Sequence, residues 1–257
     1  MVRYIVTVGT AVILSFVAAI SNAAEAEEQE KLVKKGWNTE IHAGLNLTRG
    51  NSKNLLINAS LLEEYNKGDN RFRLNIQGSY GESETGKSGT NDIKQTTVQN
   101  VQGVAEYKRL FSERDYGYAN ASIINNRIAG IDYRAIAGPG VGRYFLKSDR
   151  INLNVEIGAA YVHQCLLKDI RNSVNLRVAH RFEMKLLDTS KLWESIEYIP
   201  VINDPGNYLV NFEIGVETAI TTLLNLRLVL QDQFNSQPAS GKERNDLQLT
   251  AGIGCQL

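Results

Sequence analysis

The stretch INLNVEIGAAY, residues 151–161, alternates between apolar side chains and polar or small ones. Its apolar series is Ile151, Leu153, Val155, Ile157, Ala159 and Tyr161. Because successive side chains of a strand point to opposite faces, this alternation gives one apolar face and one polar face. About ten such residues are the length of a strand that crosses a bilayer. The stretch therefore predicts a transmembrane β-strand.

The same alternation recurs from Trp37 onward, between turns rich in Gly, Asn, Asp and Ser. The segments lie near residues 37–48, 53–65, 71–80, 96–109, 115–125, 132–145, 151–162, 173–185, 191–199, 208–219, 223–234 and 245–257. An even number of antiparallel strands is typical of single-chain outer-membrane barrels. We therefore predict an all-β fold, an antiparallel transmembrane β-barrel of about 12 strands.

The lengths of the connections also favour a barrel. Outer-membrane barrels have short periplasmic turns and longer outer loops. With the N-terminus in the periplasm, the even-numbered connections should be short, and those at 66–70, 111–114, 147–150 and 187–190 are. Longer connections are expected on the other side, notably at 81–95, 164–172 and 235–244.

Aromatic residues fall near the strand ends, where the lipid-facing side chains of a barrel form two girdles. The expected periplasmic girdle is Trp37, Tyr65, Phe72, Tyr107, Phe145, Phe182 and Trp193. The expected outer girdle is Tyr80, Tyr133, Tyr161, Tyr208 and Phe234. Two features resist the pattern. His180 falls on the apolar face of its strand, and Pro139, which lacks a backbone donor, predicts a bulge.

The N-terminal residues 1–23 have the pattern of a secretory signal peptide, with Arg3, an apolar run at 5–20 and small residues after it. That run is shorter than the ~20 residues of a membrane-spanning helix. Removal of the signal would leave a short charged periplasmic segment, residues 24–36, and the barrel, residues 37–257. Since no long apolar stretch remains, membrane insertion must use strands.

The charges are balanced, with 28 Lys and Arg residues against 28 Asp and Glu residues. No large basic cluster is present, which argues against nucleic acid as a partner. A disulfide between Cys165 and Cys255 is not expected, because their strands lie far apart around a closed sheet.

Candidate catalytic groups are few. A nucleophile needs a base within hydrogen-bond reach and a third group that orients the base. His42, His163 and His180 carry no accompanying serine motif, and no His/Cys spacing indicates a metal site. We expect isolated barrel histidines, no enzyme activity and no cofactor.

The polar faces carry charges that can pair across neighbouring strands. The alternation places Glu64 opposite Arg71, and Glu156 diagonal to Arg177 and Arg181. It also places Arg227 opposite Gly215, between Glu213 and Glu217. The candidate lumen-lining charges are therefore Glu64, Arg71, Glu156, Arg177, Arg181, Glu213, Glu217 and Arg227. They indicate either a charge-paired interior that stabilises the barrel or a polar conduit that screens solutes.

Several short motifs carry a family resemblance over nearly all of the chain after the signal. They are Trp37, Gly44-Leu45, Thr48-Arg49-Gly50-Asn51, Tyr107 with Leu110, Asp132-Tyr133-Arg134, Gly138, Gly140 and Gly142 followed by Tyr144, and Leu153 with Glu156 and Gly158. The chain resembles the YdiY-like proteins, a domain family of unknown function whose members are labelled salt-induced outer-membrane proteins. The resemblance implies an outer-membrane barrel and no established activity.

We therefore expect an exported protein of the cell outer membrane, acting as a narrow channel for small solutes or as a structural component of the envelope. Its partners would be outer-membrane lipid, the barrel assembly machinery and small ions or solutes. Two other classes stay open. An outer-membrane hydrolase would need a Ser or an acid within reach of His42 or His163, and a soluble periplasmic ligand-binding β-domain would bury its aromatic face.

Overall fold

The computed structural model describes residues 36–48, 54–88 and 91–256. The expected signal peptide and all but the last residue of the charged segment lie outside these residues. Among the described residues, no helix is long and apolar enough to cross a membrane.

Twelve antiparallel strands form a closed barrel in which β1 pairs with both β2 and β12. Their bounds are β1 Gly36–Thr48, β2 Asn54–Lys67, β3 Asn70–Ser88, β4 Asn91–Leu110, β5 Asp115–Asn126, β6 Ile131–Lys147, β7 Ile151–Leu166, β8 Asp169–Leu187, β9 Ser190–Val201, β10 Asp204–Ala219, β11 Leu224–Asn235 and β12 Asn245–Gln256. The predicted fold class is confirmed. We call the end where β1 begins the inner end, and the opposite end the outer end. The inner face of the wall is the side toward the lumen, and the outer face is the side turned away from it.

The two faces of the barrel wall differ as the alternation predicts. Leu45 and Leu247 are exposed on the outside, at 68% and 65% of their surface, whereas Asn154 and Glu156 are buried inside. An apolar outer face is the opposite of what a soluble domain presents, since that domain would turn this face inward. The outside therefore suits contact with lipid tails.

Loop lengths follow the expectation only in part. The expected long loops at 81–95 and 164–172 consist mainly of strand, because β3 and β4 continue to Ser88 and Asn91 while β7 and β8 meet in a two-residue turn. In that turn Leu167 and Lys168 both have positive φ, 49° and 71°, as in a type I′ hairpin. The sequence has no glycine at these two positions, so it did not predict the turn.

Pro139 does not cause the expected bulge. The pairs Ala137 with Tyr161 and Gly140 with Gly158 keep one register across it, and the register shifts of β6 lie elsewhere. A Cβ on Gly138 would stand 1.9 Å from the carbonyl oxygen of Ala159. Glycine permits this close approach of the two strands. The missing N–H of Pro139 therefore interrupts the β6–β7 pairing locally, and no extra residue is inserted.

Trp193 does not belong to the periplasmic girdle, contrary to the prediction. Its side chain lies inside the barrel, opposite Gly215, and the residue is only 3% exposed. Strand β9 carries charges on both faces, Lys191 and Glu197 inside and Glu194 outside, so alternation alone could not assign its faces. By contrast, Trp37 lies outside and packs against Tyr65, with ring centroids 4.8 Å apart.

Candidate functional site

All eight predicted charges lie on the inner face of the wall, but two pairings differ from the expected ones. Glu64 stands opposite Arg73, with 3.4 Å between its Oε1 and the Nε of Arg73, and Arg71 stands opposite Asn66 instead. Arg227 stands opposite Glu217 rather than Gly215. Both errors are shifts of two residues, which keep the face and change the partner.

A buried charge network lies on the lumen side of β4, β5, β7, β8 and β9, with Lys108 and Tyr116 near the inner ends of their strands. Glu156 on β7 accepts from Lys108 of β4 and from Arg177 of β8, each at 2.8 Å. The hydroxyl of Tyr116 on β5 donates to the same carboxylate at 2.9 Å. Arg177 also donates to Glu197. Every charge in this network has a partner, which is the condition for burying it without a large penalty.

Arg181, the other predicted partner of Glu156, belongs to a different group. Its Nε donates to Glu183 on its own strand at 2.6 Å. Arg177 and Arg181 therefore serve separate clusters, although both lie diagonal to Glu156 in the β7–β8 ladder.

Glycines on β6 and β7 make room for the tyrosines beside this network. A Cβ on Gly142 would lie 2.4 Å from the Tyr116 ring, and a Cβ on Gly140 or Gly158 would lie 2.3 or 2.5 Å from the Tyr118 hydroxyl. The tyrosine rings thus lie directly against glycine backbone. Lys108 and Arg177 also lie over these two rings, each 5.0 Å from the centroid, a range at which a cation is attracted to an aromatic face.

Uncharged amides form a second group nearer the outer end. Gln77 on β3 donates to Gln102 on β4 at 3.2 Å, and Gln233 on β11 reaches the same Gln102 at 3.3 Å. Gln248 on β12 donates to Ser79 on β3 at 2.8 Å. Gln77 and Gln102 are cross-strand neighbours, whereas β11 and β12 are not adjacent to β3 or β4 in the sheet. The bonds of Gln233 and Gln248 therefore cross the lumen.

Two polar cavities lie along the interior. The inner cavity, about 180 Å³, is lined by Arg181, Trp193, Glu217 and Arg227 among others. The outer cavity, about 140 Å³, is lined by the amide group, including Gln102 and Gln231.

Glu213 joins the linings of these two cavities. The indole Nε1 of Trp193 donates to its carboxylate at 2.6 Å, and the amide of Gln231 donates to it at 2.8 Å. Arg227 lies over the Trp193 ring, 4.7 Å from its centroid. We call Trp193, Glu213 and Gln231 the constriction.

The loop 236–244 lies at the outer end, and its Ala239 is 5% exposed. It forms an apolar cluster with Ile131 and Leu166. Since β11 and β12 lie across the barrel from β6 and β7, the loop extends over the outer mouth.

Sequence reasoning missed several residues of this interior. Lys108, Tyr116 and Tyr118 line it, but β4 and β5 mix residue types on both faces. The inward glutamines carried no charge to mark them. Their parity on β3, β4, β11 and β12 was the signal that could have identified them.

The family now follows from comparison with known sequences. No curated protein matches the sequence. The family described as "Protein of unknown function, DUF481" matches residues 41–256. The chain belongs to this family. The resemblance noted in the sequence is thereby confirmed at the level of a family of unknown function.

Solved structures of outer-membrane proteins are similar to this chain. The NanC porin matches this DUF481 member with a TM-score of 0.52 at 9% identity, over 86% of this chain and 100% of that chain. An outer membrane channel from Pseudomonas putida F1 matches with a TM-score of 0.47 at 9% identity, over 91% of this chain and 100% of that chain. At 9% identity, the likeness to the NanC porin shows the barrel fold alone.

The histidines of the DUF481 barrel have acidic or polar neighbours. His42 lies 3.4 Å from the carboxylate of Glu40, and His163 bonds Tyr133 at 2.9 Å and Asn172 at 2.5 Å. His180 does lie on the outer face, 2.9 Å from Glu194. An acid is thus within reach of His42. Among the hydrogen bonds of the described residues, however, none joins a serine, threonine or cysteine to any of these histidines.

Proposed function

We propose that this DUF481 member is an outer-membrane channel for small ions and polar solutes, held narrow by the constriction. The observation that carries the proposal is the pair of polar cavities, one toward each end, whose linings meet at Glu213. A wall that only had to be stable would be filled more simply by apolar side chains, which avoid the desolvation of buried charges.

The wall chemistry indicates what would pass. The inner cavity presents both signs of charge and the outer one mainly amides, so both ions and hydrogen-bonding solutes find partners along the path. The constriction is made of side chains rather than backbone. Trp193 lines the inner cavity, Gln231 lines the outer cavity, and Glu213 accepts a hydrogen bond from each.

The proposal places the protein in the outer membrane, with lipid against the apolar outer face and the barrel assembly machinery as its insertion partner. The exposed aromatic and aliphatic side chains of the outside support this placement. It requires no cofactor and no catalysis.

The two tryptophans of the chain provide a matched test. Trp193→Ala removes the largest side chain of the constriction, and Trp37→Ala removes the same side chain from the outer face. In planar bilayers we expect Trp193→Ala to raise the single-channel conductance about twofold or more, because the narrowest part of a pore dominates its resistance. Trp37→Ala should conduct like the wild type.

Folding of each variant is checked by its heat-dependent migration in detergent electrophoresis. If folded and inserted wild type and Trp193→Ala both show no conductance and no solute uptake into liposomes, the channel proposal is wrong. A purely structural role in the envelope would then account for the barrel.

A further inference from the structure

A second cluster of buried polar groups lies beside the inner cavity. Glu40 and His42 of β1 and Glu217 of β10 are all buried, and each offers a ligand atom within 4.8 Å of the others. Glu217 is far from Glu40 and His42 in sequence, so residue spacing did not indicate a site. Glu217 also lines the inner cavity, which provides a route for an ion.

Three buried atoms around this cluster lack a hydrogen-bond partner among the described residues: His42 Nδ1, Glu217 Oε2 and Asn225 Oδ1. Buried polar atoms nearly always have partners, and each exception calls for an explanation such as a bound ion. All three carry a lone pair that can bind a cation. His42 itself is 5% exposed.

Gly254 brings two of these atoms together. Asn225 on β11, Gly254 on β12 and His42 on β1 stand side by side across the three strands. A Cβ on Gly254 would lie 2.0 Å from Asn225 Oδ1 and 2.2 Å from His42 Nδ1. Both unpartnered atoms therefore converge on the space that a side chain at residue 254 would fill. Glu217 is the diagonal neighbour of Asn225 across the β10–β11 ladder.

Glu40 orients the imidazole of His42. Glu40 Oε2 lies 3.4 Å from His42 Nε2, so a proton on Nε2 leaves the lone pair on Nδ1. Histidines that bind metals commonly donate their other ring nitrogen to a carboxylate in this way. The two carboxylate oxygens of Glu217 differ in the same way. Lys191 binds Oε1 at 3.2 Å, whereas Oε2 has no hydrogen-bond partner among the described residues.

We propose that the barrel binds one divalent transition-metal ion through His42 Nδ1, Glu217 Oε2 and Asn225 Oδ1, with Glu40 positioning His42. One imidazole nitrogen with two oxygens suits ions such as Zn²⁺ better than Ca²⁺ or Mg²⁺, which prefer oxygen alone. The ion would tie β1 to β10 and β11 across β12. Among the described residues, β1 and β12 pair over just Glu40–Ala43 with Ile253–Gln256.

The test uses the tag-free barrel folded in detergent and stripped with a chelator. Co²⁺ is titrated while its visible absorption is recorded, and Zn²⁺ affinity is measured by competition with a chromophoric chelator. We expect about one equivalent to bind the wild type, with a loss of tenfold or more in affinity in His42→Ala and in Asn225→Ala. The matched control, His180→Ala, removes a histidine from the outer face and should bind like the wild type.

Folding of every variant is verified by heat-dependent migration, and bound Zn²⁺ should raise the conversion temperature of the wild type but not of Asn225→Ala. If His42→Ala does not fold, Asn225→Ala decides alone. Wild-type binding no tighter than that of Asn225→Ala would overturn the proposal, as would binding that disappears in His180→Ala. Neither readout depends on conductance, so the site and the channel can fail separately.

Discussion

Glu156 shows what one inward carboxylate does in this wall. It compensates Lys108 and Arg177 and also accepts from Tyr116. Only 5% of its side chain is exposed, so water contributes little to its solvation. Removing its charge would leave the two cations less compensated in a place where they cannot be hydrated.

Glu156→Gln should therefore lower the free energy of unfolding by about 3 kcal/mol, the lower end of the range for a broken buried pair. The loss is limited because Arg177 keeps Glu197 and Lys108 keeps Glu106. The measurement is a urea titration of the folded barrel.

Glu64→Gln is the control for that substitution. Its carboxylate pairs with Arg73, but 36% of the Glu64 side chain is exposed, so the change should stay within about 1 kcal/mol. Equal losses for the two variants would show that burial of Glu156 does not govern its contribution.

The sequence could predict part of this network. Alternation and hairpin geometry placed Glu156 diagonal to Arg177, because both lie on adjacent strands. Lys108 reaches Glu156 from β4, and β5 and β6 lie between its strand and β7. Such a contact depends on the curvature of the closed wall, which pairwise reasoning about neighbouring strands does not contain.

At the scale of elements, the glycines of β6 and β7 shape the interior as much as the charges do. Gly140→Ala should destabilise the barrel by about 1–3 kcal/mol, the usual cost of overpacking. The added methyl would stand 2.3 Å from the Tyr118 hydroxyl and 2.5 Å from the Ile157 carbonyl oxygen. Denaturant midpoints of the two proteins give the difference.

Gly103→Ala on β4 is the matched control, since its added Cβ meets only Ile123 Cγ2, at 3.7 Å. That variant should be neutral or gain up to about 1 kcal/mol, because alanine restricts the unfolded strand more than glycine does. Comparable destabilisation by both substitutions would argue against tyrosine packing as the cause.

Most strand bounds were predictable to within a few residues. Apolar and polar side chains alternate along a strand wherever one face of the sheet has apolar surroundings and the other does not. The turns were less so. Leu167 and Lys168 adopt positive φ without glycine, and the polar hairpin of β3 and β4 had the composition of a loop. The sequence also could not assign the two faces of β9. Glu194 lies outside and Glu197 lies inside, and both are glutamates, so residue type does not distinguish the faces.

On the scale of the whole molecule, the barrel exposes apolar side chains on the outside, whereas its interior is mainly polar, with a buried apolar cluster of Ile136, Ala160, Val162, Ile199 and Leu209. The proposed membrane insertion requires that the outer face contacts lipid while the inner face does not. Trp37 and Trp193 are the two tryptophans of the chain, and they lie on opposite faces, 65% and 3% exposed.

Brominated-lipid quenching of tryptophan fluorescence measures most directly which face contacts lipid. Two single-tryptophan variants, Trp193→Phe and Trp37→Phe, are folded into vesicles with and without brominated acyl chains. Trp37, an aromatic residue near the membrane interface, should be strongly quenched in the first variant, whereas Trp193 in the second should keep nearly all of its emission. Equal quenching of both, or quenching of Trp193 alone, would contradict the assignment of the two faces.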